Sequence, residues 1–365
     1  PNPLIYPLNL AAMSKKQVHF LANAIMFSTP FTNCLFTNLY CVPIQRAKDT
    51  GAKHVDNKES FDRCDEFLDG GGVLWIAPEG GSEMERRVRP FKTGTARIGF
   101  SAENQKNFEL DLAIIPVGLS YSDPEEFRSE VVIHVGEAVY PKHFQETYKK
   151  APREAVRELT AVLEEKVRAL AIHLEDDTEK HFIPKIELLL KNSQPLGPEA
   201  EYFRTKQAIE QLRSLKRKKP EQWQKLHDQT NTYFSTLEQT GLDDEVIVGD
   251  QKGRKNNFFT LLAGFPLFIF GWINNLLPAY LPALLAKKMN LYPGYNSTIK
   301  ILSGLITFPL FYWLTYKLVN HYFTASVSVL YLLAMPVTGF FVLWYLKKAD
   351  LYFKHKRLNL FRKKQ

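Results

Sequence analysis

Along residues 1–192, short apolar runs alternate with stretches in which apolar residues recur every three or four positions. The runs are rich in Val and Ile and predict strands at Val18–Ala22, Leu39–Ile44, Val73–Ala77, Ala113–Tyr121 and Val131–Gly136. The recurring spacing predicts helices. Phe61, Cys64, Phe67 and Leu68 share one face of Ser60–Leu68, and Val156, Leu159, Leu163, Val167, Leu170 and Leu174 share one face of Ala151–Glu175. Further helices are expected at Leu8–Met13, Thr93–Ala102 and Phe182–Leu190, and Gly70-Gly71-Gly72 supplies a stop after the Ser60–Leu68 helix. Strand and helix in alternation predict an α/β fold over 1–192, a mostly parallel sheet flanked by helices.

The pattern changes twice after that. Residues 193–250 are polar and predict a helical pair, Glu199–Lys218 and Pro220–Thr240, with a basic run from Arg213 to Lys219 that suits either acidic headgroups or water. Residues 256–346 are a helical membrane region, because Asp, Glu, Lys and Arg are missing from Asn256–Ala286, Ile301–Tyr316 and Leu318–Leu346. Asn274-Asn275, Pro278 and Pro282 interrupt the first segment, so 256–286 is expected to enter the bilayer and return, with 299–319 and 322–346 forming a transmembrane hairpin. Three full crossings are the other arrangement the pattern allows.

Charge bears on orientation. The chain of 365 residues carries a net +8, and nearly all the excess sits in the tail 347–365, where Lys347, Lys348, Lys354, Lys356, Arg357, Arg362, Lys363 and Lys364 face Asp350 alone. With Lys252, Arg254, Lys255, Lys287, Lys288 and Lys300 at the other segment ends, this bias is expected to place residues 1–255, 287–298 and the tail 347–365 on the cytoplasmic side, the tail against membrane lipids. No nucleic-acid recognition motif accompanies the basic residues, so nucleic acid is not an expected partner. Cys34, Cys41 and Cys64 have no metal spacing and apolar neighbours, which predicts small buried side chains; no metal site is expected. The chain opens at Pro1 without Met, which predicts that residues precede it.

One stretch carries candidate chemistry. The strand Val73–Ala77 breaks at Pro78, passes Glu79-Gly80-Gly81-Ser82 and then presents Arg86, Arg87, Arg89 and Lys92. A strand ending in a Gly-rich turn beside clustered Arg suits an anion, above all a phosphate. His19 and His134 lie within expected strands and read as structural, whereas His54 lies in a loop.

Four blocks, in order, resemble the glycerolipid acyltransferase family, the enzymes that acylate glycerol 3-phosphate or lysophosphatidate. They are Pro1-Asn2 with Tyr6, Val42-Pro43-Ile44-Gln45-Arg46, Pro78-Glu79-Gly80-Gly81-Ser82, and Ile115-Pro116-Val117-Gly118. The extension from Glu85 to Arg97 is similar to a large, mainly bacterial branch with a multi-helix C-terminus. The resemblance implies a membrane-bound acyltransferase transferring groups other than aminoacyl groups, at a bacterial inner membrane with its catalytic domain cytoplasmic. It moves an acyl group from acyl-CoA or acyl-carrier protein, a co-substrate rather than a cofactor, to the hydroxyl of a phosphorylated glycerol acceptor in phospholipid biosynthesis. By the same resemblance the base is a His just upstream of Pro1, and Tyr6 stands where relatives carry the Asp that orients it. Arg46, Gly80, Gly81, Ser82, Arg86, Arg87 and Lys92 bind the acceptor phosphate. Glu79 orients Arg46 or hydrogen-bonds the acceptor, and the strand at Ile115–Gly118 shapes the acyl pocket. The Tyr6 replacement keeps open an alternative, a catalytically weakened or inactive relative that binds phosphorylated lipid. A membrane scaffold would leave the Glu-Gly turn and the Arg cluster unexplained.

Overall fold

A computed structural model describes residues 11–45, 57–81, 83, 85–123, 129–251, 258–290 and 292–363. It divides into two compact units, Pro1–His173 and Leu174–Gln365.

The first unit is built on a three-stranded parallel sheet in the order β2-β1-β3, with β1 Val18–Asn23, β2 Cys41–Ile44 and β3 Val73–Trp75. Phe20 pairs with Cys41 on one side of β1 and with Trp75 on the other. Parallel neighbours need crossovers, and helices supply them. Between β1 and β2 runs α1 Pro30–Asn38, which the apolar pattern did not reveal. Its start is specified locally: Pro30 opens it, and Thr29 and Thr32 exchange side-chain and backbone hydrogen bonds as a capping box. Between β2 and β3 runs α2 Lys58–Asp69, which stops where Gly71 takes a φ of 74° and the Gly72 amide returns to the Phe67 carbonyl.

The helix α3 Gly94–Gln105 lies at the centre of the packing. One side, Ile98 and Ala102, joins Cys64 and Leu68 of α2 against Leu21, Val42 and Leu74 of the sheet. The other, Ala96 and Phe100, packs on Ala155, Leu159 and Leu163 of α5 Pro152–Leu170, and the Phe100 ring stacks 4.5 Å from Tyr148 on α4 Gln145–Lys150.

The expected parallel sheet is smaller than the strand pattern suggested. β4 Val117–Tyr121 and β5 Val131–Val135 form a separate antiparallel pair, with Gly118 opposite His134. Only the nine residues 122–130 separate them in sequence, fewer than a parallel crossover needs, so they return on each other. Ile115, expected to be buried, is 53% exposed, while Gly118 is buried against the end of α5. Val73 is exposed at the start of β3, on the sheet edge. Of the three cysteines only Cys64 is buried; Cys34 is exposed and Cys41 half-buried.

In the second unit, α6 Asp177–Ser193, α7 Pro198–Lys218, α8 Pro220–Thr240 and α9 Asp244–Gln251 form a bundle. Residues 174–192 therefore fall with this unit rather than with the sheet. The reason is polar as well as apolar: Glu179 of α6 takes a bidentate pair from Arg213 of α7, Lys185 donates to Asn231 of α8, and Asn192 donates to Asp244 of α9. Arg213, at the head of the basic run, is thus an internal contact.

Three long apolar helices follow: α10 Phe258–Met289, α11 Asn296–Tyr322 and α12 Ala325–Arg362. Each is long and apolar enough to cross a membrane. α10 is one continuous helix where the sequence pattern predicted a break, because Asn274 and Asn275 return one amide hydrogen each to Phe270 and Gly271 of their own helix. Their oxygens accept from Tyr331 of α12 and Tyr312 of α11. Asn275 also donates to the Met335 carbonyl, so polar groups in apolar surroundings are paired across three helices. At Gly271 α10 and α12 approach so closely that a Cβ would lie 2.5 Å from the Thr338 carbonyl oxygen. α12 runs on through the basic tail, and Leu358 packs with Leu237, Leu242 and Val246 of the bundle.

Candidate active site

The loop after β3 is closed on itself. Pro78 and Glu79 form a turn, Gly80 takes a φ of 66° that favours glycine, and its amide reaches the Ala77 carbonyl at 3.2 Å. The Lys92 amide then donates to the Pro78 carbonyl at 2.7 Å, so residues 78–92 form a loop whose ends meet. A Cβ on Gly80 would lie 3.4 Å from Lys92 Cγ. The loop closure brings Lys92 against Gly80, and the same loop carries Glu79, Gly81, Arg86 and Arg87. Arg86 and Arg87 are half-buried and Lys92 is exposed. Tyr6, Arg46 and Ser82, the other expected site residues, lie outside the described residues, as does His54.

Acidic groups organise the cations. Arg89 bridges Glu83 at 3.3 Å and Glu85 at 3.1 Å. Burial pushes the Glu79 carboxyl above the usual carboxylate range, and the Arg89 charge and backbone amide facing it oppose that rise. Glu79 thus faces the scaffold of the loop, with Arg89 as its neighbour.

The far side of the loop is held by residues that no sequence motif marked. The Val88 amide donates to His173 Nδ1 at 2.9 Å, and the Phe91 amide donates to Glu164 Oε2 at 2.9 Å. Glu164 is on α5 and also pairs with Arg168. α5 stops at Ala171, whose ψ of 161° leaves the helical region, although the apolar spacing predicted helix to Glu175. That early stop puts His173 on an extended segment, where it reaches the loop. The Val88 side chain is buried and Phe91 packs against the α3–α5 core.

Val88, Phe91 and Lys92 spend their amides on protein partners, and Pro90 has none to offer. These three amides are therefore engaged within the protein.

The remaining polar groups of the unit are structural in their surroundings. His19 lies in β1 with its ring 3.7 Å from Phe67, and burial lowers its pKa. His134 sits in β5. Asp65 is buried and accepts from Ser101 and Gln105. Among the described residues there is no group of three or more His, Cys, Asp or Glu able to hold a metal ion.

Residues 3–120 match the family model described as Acyltransferase. Over 109 residues the chain is 35% identical to Glycerol-3-phosphate O-acyltransferase 2 of Saccharomyces cerevisiae, which covers 30% of this chain and 14% of that protein. Over 128 residues it is 28% identical to Glycerol-3-phosphate O-acyltransferase 1 of the same yeast, covering 34% of this chain and 17% of the relative. An uncharacterized acyltransferase of Schizosaccharomyces pombe is 26% identical over 127 residues, covering 34% and 19%. The chain thus spans less than a fifth of the length of these curated relatives. No solved structure matches it.

Proposed function

We propose that this chain, whose residues 3–120 match the Acyltransferase family model, moves an acyl group from a thioester to the hydroxyl of a phosphorylated glycerol. The donor is acyl-CoA or acyl-carrier protein, and the acceptor is glycerol 3-phosphate or a lysophosphatidate. The observation that carries the acceptor class is the closed loop 78–92, which seats Lys92 against Gly80 and also carries Arg86 and Arg87.

In this reading the three cations, with Arg46, hold the acceptor phosphate and fix its hydroxyl near the donor. The His expected upstream of Pro1 takes the hydroxyl proton. The alkoxide oxygen attacks the thioester carbonyl and forms the new C–O bond. The C–S bond breaks, and the thiolate leaves and takes up a proton. Tyr6, at the position of the base's usual partner, is a neutral group and supports an imidazolium less well than a carboxylate does.

The site works at a membrane. The bundle precedes α10 and also packs on the end of α12, through Leu358 and through Lys354 paired with Asp243. At the same end, Tyr345 donates to the Leu261 carbonyl near the start of α10. These contacts support a bundle and a basic tail on one side of the bilayer, with an even number of crossings between them; the charge bias of the flanking residues makes that side cytoplasmic in this reading.

Full-length protein in liposomes, given labelled glycerol 3-phosphate or lysophosphatidate and acyl-CoA or acyl-carrier protein, is expected to form acylated product. Arg86→Ala with Arg87→Ala is expected to raise the acceptor KM by ~10-fold or more, as loss of charge-assisted hydrogen bonds requires. Phosphate-lipid binding without turnover would favour the weakened or inactive relative. Protease access to a C-terminal tag in sealed vesicles tests the orientation.

A further inference from the structure

Within the loop, Arg89 is paired with Glu83 and Glu85. The backbone of the loop is pinned as well, from a direction no motif announces. Val88 and Phe91, which flank Arg89-Pro90, are hydrogen-bonded by their amides to His173 and Glu164. The two anchors come from one place, the C-terminal part of α5 and the extended segment after it. Their side chains are half-buried behind the loop, and the Glu164 charge also reaches Glu79.

We infer that His173 and Glu164 are positioning residues for the acceptor phosphate, holding the backbone of Val88 and Phe91 so that Arg86, Arg87 and Lys92 converge. The inference rests on the acyltransferase reading above and deepens it. Because Val88, Phe91 and Lys92 use their amides internally, the phosphate is met by side chains, and where those side chains begin is set by the anchors. His173 accepts at Nδ1, which leaves its ring proton on Nε2. Glu164 accepts at Oε2 while its other oxygen pairs with Arg168, so its direction is fixed. A placement error of an ångström at a phosphate clamp is enough to lose binding geometry. Neither residue touches the reacting atoms in this scheme, so the effect belongs in the acceptor KM and not in the donor KM.

The test uses full-length protein in liposomes and two pairs of variants. His173→Ala and Glu164→Ala remove the acceptor atom; His173→Asn and Glu164→Gln keep a carbonyl oxygen near the same place. The Ala variants are expected to raise the glycerol 3-phosphate KM about tenfold, the loss of one anchoring hydrogen bond, with the acyl-CoA KM unchanged. The Asn and Gln variants are expected to restore the acceptor KM. Calorimetric Kd values for glycerol 3-phosphate are expected to follow the same order whether or not turnover occurs. Ala variants with wild-type KM and Kd would overturn the inference, as would Asn and Gln variants no better than Ala. If an Ala variant does not fold, hydrogen exchange at the Val88 and Phe91 amides of the wild type decides: protection supports the anchors, and exchange at the free-peptide rate refutes them. Kd values that follow the expected order without any acyl transfer would sink the enzyme reading and leave the positioning role. A wild type that binds no phosphate monoester would sink both.

Discussion

Glu79 shows how one residue's surroundings translate into a measurable pH dependence. Burial raises its carboxyl above the usual range, against the opposing Arg89 charge. A carboxyl raised on folding favours the folded state while both states are protonated, and that advantage disappears as pH rises through the elevated value. Glu79→Gln is therefore expected to melt with the wild type near about pH 4, the ordinary Glu range, and above the wild type at higher pH, as followed by thermal melts across pH. The cysteines offer a second check at this scale. Cys34 is exposed, while burial pushes the thiol of Cys41 up to about 11 and that of Cys64 up to about 12. Alkylation at neutral pH, mapped by peptide mass, is expected to mark Cys34 first and Cys64 only on unfolding. The environment of all three was illegible in the sequence, where each has apolar neighbours. Cys64 lies on the inward face of α2, and no local pattern distinguishes it from Cys34 on the outward side of α1.

Elements were more legible than their partners. β1, α2, α3, α7 and α8 lie where the sequence predicts them, α2 from its apolar face and α7 and α8 as a polar helical pair. α1 escaped notice because its signal is the Thr29–Thr32 capping box and not an apolar stripe. The strand direction of β4 and β5 also escaped, since alternation is the same for parallel and antiparallel pairs. The turn at Pro78–Gly81 was legible as a break after β3, but its contacts with His173 and Glu164 were not, because those residues are distant in sequence and accept from backbone amides of the loop. Gly118 ties these elements together: a Cβ there would lie 2.4 Å from the Leu170 carbonyl oxygen at the end of α5. Gly118→Ala is expected to cost about 1–3 kcal/mol by overpacking, read as a lowered denaturant midpoint. In the bundle, burial alone would raise the Glu179 carboxyl, yet Arg213 and the Glu175 amide hold it below the usual range. A depressed carboxyl stabilises above its ordinary pKa, and the contribution is lost as pH falls through the depressed value. Arg213→Ala is expected to lower stability by ~2 kcal/mol, the cost of stripping a charged hydrogen-bond partner, with the deficit shrinking in acid.

At the scale of the molecule, α12 joins regions that the sequence kept apart. The basic tail was legible as charge but not as helix, because an amphipathic face is hidden when it begins inside an apolar span. α12 has 38 residues, which at ~1.5 Å per residue is about 57 Å, against ~30 Å of bilayer hydrocarbon. The surplus is a rigid post, and Leu351, Leu358 and Phe361 dock the bundle on it. Rotation of that post has consequences: one residue inserted after Leu346 turns the docking face by about 100° and is expected to release the bundle to protease. Seven inserted residues restore the face to within about 20° and are expected to keep it docked, about 10 Å farther out. The bundle's height is then set by helix pitch. A thinner bilayer that tilts the post is expected to tilt the docked bundle with it, because one helix carries both.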